Sequence, residues 1–221
     1  MTARDQPAFV LFGGTFNPVH LGHLGLIRGL LQREDVQRVF VVPAARNPFK
    51  AVDESLPATL RLDMLQRALR GISGVSVLDL ELRRGQPSYS VETVAALASK
   101  YPGVRLMLAM GWDVYETFGE WHNAGGILER AGLMVVTRNG APLPARGDRA
   151  AWLCGLPPGW RKRVRMGRDG TGRSDEGREL LKFINLRLPN ISSTQIRNKH
   201  NSRQVPEAAR DLLDAYWAAG G

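Results

Sequence analysis

The chain has 221 residues, of which 43% are hydrophobic, and it carries a formal net charge of +9 with a pI near 10.4. This length is sufficient for one α/β domain with a full core, and a single cysteine, Cys154, excludes an internal disulfide framework. No apolar run reaches the roughly 18 residues of a transmembrane helix, and the N-terminus lacks the apolar core of a signal peptide. We therefore expect a cytoplasmic protein with no membrane partner, whose positive charge attracts polyanions.

Apolar runs alternate with amphipathic stretches along most of the chain. The predicted strands are Ala8–Phe12, Arg38–Val42, Val75–Leu80, Val104–Met110, Leu133–Thr137 and Ile184–Leu188. The predicted helices are Pro18–Arg33, Ala58–Arg70, Val91–Tyr101 and Trp121–Arg130. This alternation is typical of βαβ units with right-handed crossovers. We predict an α/β fold with a Rossmann-like, doubly wound, mainly parallel sheet and a small C-terminal helical part, all in one domain over residues 1–221.

A glycine turn follows the first predicted strand. Gly13 and Gly14 come directly after the apolar run Phe9–Phe12, and Asn17 and Pro18 suit the N-cap and first position of a following helix. A strand, a glycine turn and a helix N-terminus present free backbone N–H groups and the positive end of a helix dipole at one place. The segment therefore predicts an anion site, with phosphate as the natural ligand.

Two histidines lie at the start of this predicted helix. His20 and His23 are three residues apart and share one face of the first turn, and Gly22 between them lets a ligand approach the backbone. Two histidines can also bind a metal, but the usual helical zinc pair is spaced i, i+4 with a glutamate between. No acidic residue lies near this pair. Phosphate is therefore the expected ligand, and no metal-binding residue is predicted.

These residues carry a family resemblance. Gly13–Pro18 followed by His20-Leu21-Gly22-His23 resembles the GTFxPxHxGH signature of the nucleotidyltransferase superfamily, and within it bacterial nicotinate mononucleotide adenylyltransferases. The resemblance implies that the backbone of this segment, including Thr15 and Phe16, binds the phosphates of ATP together with His20 and His23.

A second loop over the same sheet edge follows the second predicted strand. Residues 43–50 contain two prolines, and Lys50 at their end can reach a phosphate as a point charge. Members of the resembled family carry a basic residue here, often after a histidine, that contacts the ATP phosphates. Phe49 stands where many members have that histidine. The resemblance therefore assigns phosphate contact to Lys50, with Arg46 as a helper.

The next two segments resemble the family's mononucleotide site. The Pro-Ser-Tyr-Ser stretch matches a loop whose backbone binds the pyridine carboxylate, which implies that role for Tyr89 and Ser90; capping of the next helix also accounts for Ser90. The Gly-x-Asp pattern after the fourth strand assigns a nucleotide contact to Asp113, and the following Trp121 matches the tryptophan that stacks on the nicotinate ring. Core packing is the commoner role of such aromatics. Arg138 matches a frequently basic position.

Residues 139–182 lack a periodic pattern and have no counterpart in the family. They are rich in glycine, proline and arginine, with Arg161–Arg168 the most basic stretch. We expect a surface excursion in which Ala150–Leu153 forms a short helix. A basic loop of this kind can bind nucleic acid, but no RNA-binding motif accompanies it, so no nucleic-acid partner is predicted.

A second phosphate motif lies near the C-terminus. Ser192 and Gln195 form an S-x-x-Q capping box, which predicts a helix start. Capping does not explain Arg197, whose planar fork suits phosphate oxygens. The Ile-Ser-Ser-Thr-x-Ile-Arg sequence resembles the superfamily's second signature, which implies that Ile191, Ser192, Ser193 and Arg197 bind the ATP phosphates.

The resemblance as a whole implies Mg²⁺-dependent adenylyl transfer from ATP to nicotinate mononucleotide, with His20, His23, Lys50 and Arg197 as the catalytic residues. The sequence leaves other interpretations open. The acceptor can instead be nicotinamide mononucleotide or phosphopantetheine, or the chain can be a nucleotide-binding regulator without turnover. A basic nucleic-acid-binding protein that uses Arg161–Arg168 is a further alternative. The sequence also leaves open whether the chain forms a homo-oligomer.

Overall fold

A computed structural model describes residues 7–45, 56–84, 88–138, 144–145 and 147–220. Its internal contacts divide the chain into two compact units, each built from segments that are distant in sequence. The first unit takes the residues up to Phe12, then Glu34–Gln37 and Tyr89–Arg187. The second unit takes Gly13–Arg33, Arg38–Ser88 and the residues from Leu188 onward.

The described residues form one eight-stranded sheet. In chain order its strands are β1 (Ala8–Gly14), β2 (Val36–Pro43), β3 (Val75–Val77), β4 (Leu106–Gly111), β5 (Gly132–Arg138), β6 (Arg165–Met166), β7 (Thr171–Arg173) and β8 (Glu179–Leu186). The spatial order is β3-β2-β1-β4-β5-β8-β7-β6. The pairs β1–β4, β4–β5, β5–β8 and β2–β3 are parallel, whereas β6–β7 and β7–β8 are antiparallel. The order reverses between β1 and β4, as in doubly wound sheets, which confirms the predicted fold class.

Helices connect these strands. They are α1 (Leu21–Leu31), α2 (Ala58–Leu69), α3 (Leu80–Arg84), α4 (Ser90–Lys100), α5 (Trp112–Tyr115), α6 (Ala124–Arg130), α7 (Arg149–Trp152), α8 (Pro158–Arg161), α9 (Ser193–Asn198) and α10 (Glu207–Ala218). The third predicted strand is too long, because Leu80 begins α3 and the strand ends at Val77. None of the helices in the described ranges is long and apolar enough to cross a membrane.

The prediction of a surface excursion is wrong for much of residues 139–182. The part of this stretch that the structure describes is packed into the first unit. Trp152 in α7 is buried, and its ring packs edge-on against Phe183 of β8, with ring centroids 4.6 Å apart. The Tyr115 hydroxyl donates to the Trp152 carbonyl at 2.8 Å. Gly155 approaches Tyr115 so closely that a Cβ there would lie 1.9 Å from the Tyr115 carbonyl oxygen. The short helix expected at Ala150–Leu153 is present as α7.

The second unit contains helices that pack against each other and against the parts of the sheet that belong to this unit. Leu24, Ile27 and Leu30 of α1 are buried, and α2 packs along α10. Arg67 of α2 and Asp211 of α10 form an exposed ion pair at 2.7 Å. An exposed pair of this kind contributes little to stability, so the apolar faces of the two helices hold this packing together.

Candidate functional site

The loop after β1, residues 13–18, is held in place through its backbone carbonyl groups. The Gly14 carbonyl accepts from the backbone N–H of Ala44 at 2.8 Å, and the Thr15 carbonyl accepts from Nη1 of Arg61 at 2.7 Å. Because a peptide group is planar with its C=O and N–H opposed, fixing a carbonyl also fixes the direction of the following N–H. These contacts orient the first half of the loop.

Helix α9 holds the second half of the same loop. Arg197 donates from Nη1 to the Asn17 carbonyl at 2.6 Å, and the Ser193 hydroxyl donates to the Pro18 carbonyl at 2.9 Å. Four carbonyl groups between residues 14 and 18 are therefore engaged by other elements of the second unit. The two phosphate motifs that the sequence analysis identified are in direct contact.

Phe16 takes a backbone conformation that L-residues rarely adopt. Its φ is 48°, it is 2% exposed, and its ring packs edge-on against His23 with centroids 4.9 Å apart. A Cβ at Gly14 would lie 3.3 Å from the Phe16 ring, so a larger residue would crowd it. A left-handed residue costs about 1 kcal/mol or more and persists only where its surroundings hold it. Phe16 thus serves to shape the turn and packs inside the loop.

His20 and His23 cap the start of α1 reciprocally. His20 is the N-cap residue, and its Nδ1 accepts from the backbone N–H of His23 at 3.4 Å. Nδ1 of His23 accepts from the backbone N–H of His20 at 3.2 Å, and the two rings stack with centroids 3.7 Å apart. An imidazole that accepts at Nδ1 carries its proton at Nε2. Both rings therefore carry their proton at Nε2.

The predicted capping roles of Asn17 and Pro18 are wrong. The N-cap of α1 is His20, three residues later, and Asn17 instead uses its side-chain oxygen to accept from the backbone N–H of Leu56 at 2.9 Å. A buried amide satisfied by a distant backbone group fixes the loop and leaves no side chain for local capping.

The helix start that the sequence predicts at Ser192 is present in the structure as the N-terminus of α9. Ser192 is the N-cap residue, and its hydroxyl accepts from the backbone N–H of Gln195 at 3.1 Å. Ile191 before it is buried. Apart from its bond to Asn17, the side chain of Arg197 shows no protein partner among the residues that the structure describes. The rest of its guanidinium fork can therefore donate to a ligand.

A second group of predicted residues lies in the first unit. Tyr89 is half-buried, and its ring lies against His122 with centroids 4.2 Å apart. Trp121 packs on the buried Phe118 at 5.5 Å between centroids and remains half-exposed. The N-cap of α4 is Tyr89 and not, as predicted, Ser90, which is the first helical residue. Tyr89 precedes Ser90 and already has the extended backbone of an N-cap.

Asp113 lies in the first turn of α5, directly after β4. It is exposed, and its carboxylate folds back over Gly111, where a Cβ would lie 2.4 Å from Oδ1. Arg138 is the last residue of β5. Lys50, Arg46 and Phe49 lie outside the described residues. Within the described ranges, no cluster of three or more His, Cys, Asp or Glu side chains could hold a metal ion.

Two residues of these groups were not predicted from the sequence. Arg61 was assigned to an ordinary amphipathic helix, but its side chain contacts the first motif. His122 contacts Tyr89 and follows Trp121 directly. Neither residue belongs to a motif, and only an arginine on the buried face of its helix was a visible signal at Arg61.

The family described as cytidylyltransferase-like matches residues 11–199 of this chain. A protein of Gemmatimonas aurantiaca named "Probable nicotinate-nucleotide adenylyltransferase" is 36% identical over 214 residues, which cover 96% of this chain and 90% of that protein. A protein of the same name from Chromohalobacter salexigens is 33% identical, with 96% of each chain covered. A third, from Maridesulfovibrio salexigens, is 39% identical, but the match spans only 59% of its length.

The fold resembles that of solved structures. The nicotinic acid mononucleotide adenylyltransferase of Plasmodium falciparum, complexed with NaAD, superposes with a TM-score of 0.68 and covers 96% of each chain. A second structure of that enzyme, complexed with APC, has a TM-score of 0.65. Sequence identities of 14% and 13% make these likenesses of fold alone.

Proposed function

The chain belongs to the nicotinate-nucleotide adenylyltransferases of the cytidylyltransferase-like family, and from this premise we propose that it transfers the adenylyl group of ATP to nicotinate mononucleotide. The products are nicotinate adenine dinucleotide and pyrophosphate, and the reaction takes place in the cytoplasm. The observation that carries the proposal is the match to relatives of that name over 96% of the chain.

The chemistry is a direct displacement at phosphorus. An oxygen of the mononucleotide 5′-phosphate forms a bond to the α-phosphorus of ATP, and the bond from that phosphorus to the bridging oxygen of pyrophosphate breaks. The attacking phosphate is already anionic near neutral pH, so no general base is needed. The protein then contributes by positioning the reactants and by stabilising negative charge.

The phosphate-binding role falls to the second unit. The Nε2–H groups of His20 and His23 would donate to phosphate oxygens and stabilise the charge that develops on the leaving pyrophosphate. Support comes from their Nδ1 atoms, which both accept from backbone N–H groups and so keep the proton on Nε2. The backbone of Gly13–Phe16 would contribute its N–H groups, and Arg197 would contribute the rest of its fork.

Further phosphate contacts complete this assignment. The N-terminus of α9 at Ser192 and Ser193 would add backbone N–H groups and a favourable helix dipole, and the buried Ile191 before it would position this turn. Lys50 would add a point charge. The divalent cation, Mg²⁺, would travel with ATP and bind its phosphate oxygens, because Mg²⁺ usually keeps several waters and few protein ligands; there it would neutralise charge on the triphosphate.

The nucleoside contacts fall to the first unit. Asp113 at the carboxyl end of β4 would accept from ribose hydroxyl groups. Trp121 would stack on the nicotinate ring, since its side chain is half-exposed. Tyr89 and Ser90, at the positive N-terminus of α4, would hold the pyridine carboxylate, with Arg138 as a further cation.

Pyrophosphate release from ATP and Mg²⁺ tests this proposal. Nicotinate mononucleotide, nicotinamide mononucleotide and phosphopantetheine are supplied separately, and a His20→Ala variant serves as the control. Release with the acid mononucleotide, lost in the variant, is the expected result. Release with the amide form or with phosphopantetheine alone would replace the acceptor, and ATP binding without any release would favour a regulator without turnover.

A further inference from the structure

Arg61 is a buried charge outside every motif in the sequence. It lies in the first turn of α2 and is 2% exposed. Its Nε donates to the Leu56 carbonyl at 3.1 Å, and its Nη1 donates to the carbonyls of Thr15 at 2.7 Å and Ala44 at 2.9 Å. Its Nη2 donates to the Ala45 carbonyl at 3.2 Å.

The four acceptors of Arg61 are neutral carbonyl groups. No carboxylate of the described residues pairs with it, and burial lowers the pKa of its guanidinium. An arginine side chain nevertheless stays protonated in proteins, so a positive charge is kept inside the second unit without an acidic partner among the residues that the structure describes. Burying a charge is costly unless its hydrogen bonds are made. An apolar residue would fill an ordinary core position at lower cost, which indicates that the guanidinium itself is required.

The carbonyls that Arg61 binds belong to three separate segments. Thr15 lies in the loop after β1, Ala44 and Ala45 follow the end of β2, and Leu56 precedes α2. These segments also contact each other, because Ala44 donates its backbone N–H to Gly14 and Leu56 donates its own to the side chain of Asn17. The guanidinium is therefore the common point at which the first motif is fixed to two neighbouring segments.

The hydrogen bond from Arg61 to the Thr15 carbonyl fixes the direction of the next backbone N–H, which is relevant to phosphate binding. Because the peptide group is planar, a Thr15 carbonyl that points at Arg61 turns the N–H of Phe16 to the opposite side. The same guanidinium adds positive potential close to the loop, and this potential acts over several ångströms at low dielectric. The direction of this N–H favours an anion on the side of the loop that faces away from Arg61, and the positive potential adds a general attraction for an anion close to the loop.

We propose that Arg61 is a positioning residue of the reaction, which holds the backbone of residues 13–18 in the geometry that binds the ATP phosphates. This inference rests on the proposed function, because the loop's ligand is ATP. Arg61 does not touch substrate. It acts through the Thr15 carbonyl and through the ends of β2 and of the segment before α2.

Steady-state kinetics of Arg61→Lys test the inference. Lysine keeps the charge but cannot reach four carbonyls from one planar group. We expect kcat/KM for ATP to fall about 100-fold, the loss that a displacement of about 1 Å can cause, while the KM for the mononucleotide is unchanged. The matched control is Arg67→Lys on the same helix, whose exposed pair with Asp211 is outside the loop and whose kinetics should stay at the wild-type level.

Chemical rescue separates positioning from general stability. Arg61→Ala leaves space for a guanidinium ion, which should restore ATP turnover, whereas urea, which has the same shape without the charge, should restore less. Hydrogen exchange should rise in peptides that cover residues 13–20 and stay unchanged in β4 and β5. Wild-type kinetics in Arg61→Lys would overturn the inference, and so would loss of folding in both variants without rescue.

The failure of this inference is distinguishable from failure of the proposed function. A wild-type protein that releases no pyrophosphate contradicts the proposed function, and ATP-induced protection of residues 13–20 in hydrogen exchange then still tests Arg61. Protection that is lost in Arg61→Lys and kept in Arg67→Lys supports the positioning role. Equal protection in both variants contradicts it.

Discussion

His20 and His23 cap one helix together, since the Nδ1 of each imidazole accepts the backbone N–H of the other residue and the two rings stack 3.7 Å apart. The same two side chains therefore cap the start of α1 and carry their protons at Nε2. A structural role and a proposed chemical role coincide in one pair of residues, and substitutions can separate the two roles because they use different ring atoms.

Replacement of His20 by asparagine should separate capping from catalysis. Asparagine is a strong N-cap residue, so the free energy of unfolding should stay within about 0.5 kcal/mol of wild type, whereas His20→Ala should lose about 1 kcal/mol. Neither side chain replaces the Nε2–H donor, so kcat should fall about 100- to 1,000-fold in both variants. Urea unfolding and pyrophosphate release measure the two effects. Full activity in His20→Asn would contradict a phosphate role for this histidine.

Arg197→Lys tests the proposal that the Arg197 guanidinium binds the Asn17 carbonyl and a phosphate oxygen at the same time. A lysine cannot hold the Asn17 carbonyl and a phosphate oxygen with one planar group, so we expect the KM for ATP to rise and kcat/KM to fall about 10-fold or more. Arg210→Lys is the matched control, because Arg210 also binds backbone carbonyls, those of Val205 and Arg203, within the second unit. Equal kinetic losses in the two variants would show that Arg197 has only a structural role.

Substitution of Trp121 should weaken the binding of the mononucleotide and leave the binding of ATP unchanged. Trp121→Ala removes a stacking face worth about 1 kcal/mol, so the KM for nicotinate mononucleotide should rise several-fold while the KM for ATP stays constant. Trp121→Phe keeps an aromatic face and should recover most of the loss. A proportional change in the two KM values would indicate that Trp121 supports the fold around Phe118 and does not stack on the substrate.

The buried phenol of Tyr115 makes the free energy of unfolding depend on pH in the alkaline range. Burial, as the largest cause, raises the pKa of its phenol above the usual value, and the hydroxyl donates to the Trp152 carbonyl. The contribution of Tyr115 to the free energy of unfolding is complete below the pKa of about 10 that a tyrosine has in the unfolded chain. Above that pH it is lost by about 1.4 kcal/mol per pH unit.

Tyr115→Phe should therefore be less stable than wild type by about 1 kcal/mol at pH 8. The difference should shrink above pH 10 and vanish about one pH unit higher, because only the wild type loses the tyrosine contribution there. Denaturant titrations of both proteins at several pH values check this. A difference that stays constant up to pH 11 would contradict a buried, hydrogen-bonded Tyr115.

The sequence was sufficient for the elements that carry strong local patterns. The two histidines and the capping residue Ser192 are recognisable because the physical requirement lies within a few neighbouring residues. The family expectation drawn from them is confirmed by the relatives that match 96% of the chain. The doubly wound, mainly parallel sheet followed from the alternation of strand and helix patterns, whereas the order of its strands is known only from the structure. The predicted glycine turn is wrong, because Gly13 and Gly14 are the last two residues of β1.

The remaining features depend on contacts between distant residues. Asn17 looks like a helix cap, yet its amide is taken by Leu56, 39 residues away. Strands β6 and β7 have two and three residues, which is too short for a periodic signal, so their stretch was taken for a surface excursion. Arg61 lies on the same helix face as the buried Met64 and Leu65, but its four acceptors come from other segments, so its contacts could not be predicted from the helix pattern.

A single reaction that contains both mononucleotides tests the central claim most directly. ATP, Mg²⁺, and equal concentrations of nicotinate and nicotinamide mononucleotide are incubated with the full chain, and the dinucleotides are separated and identified by mass. The account predicts that nicotinate adenine dinucleotide accumulates together with an equal amount of pyrophosphate. Accumulation of the amide dinucleotide in its place, or of neither product, would contradict it.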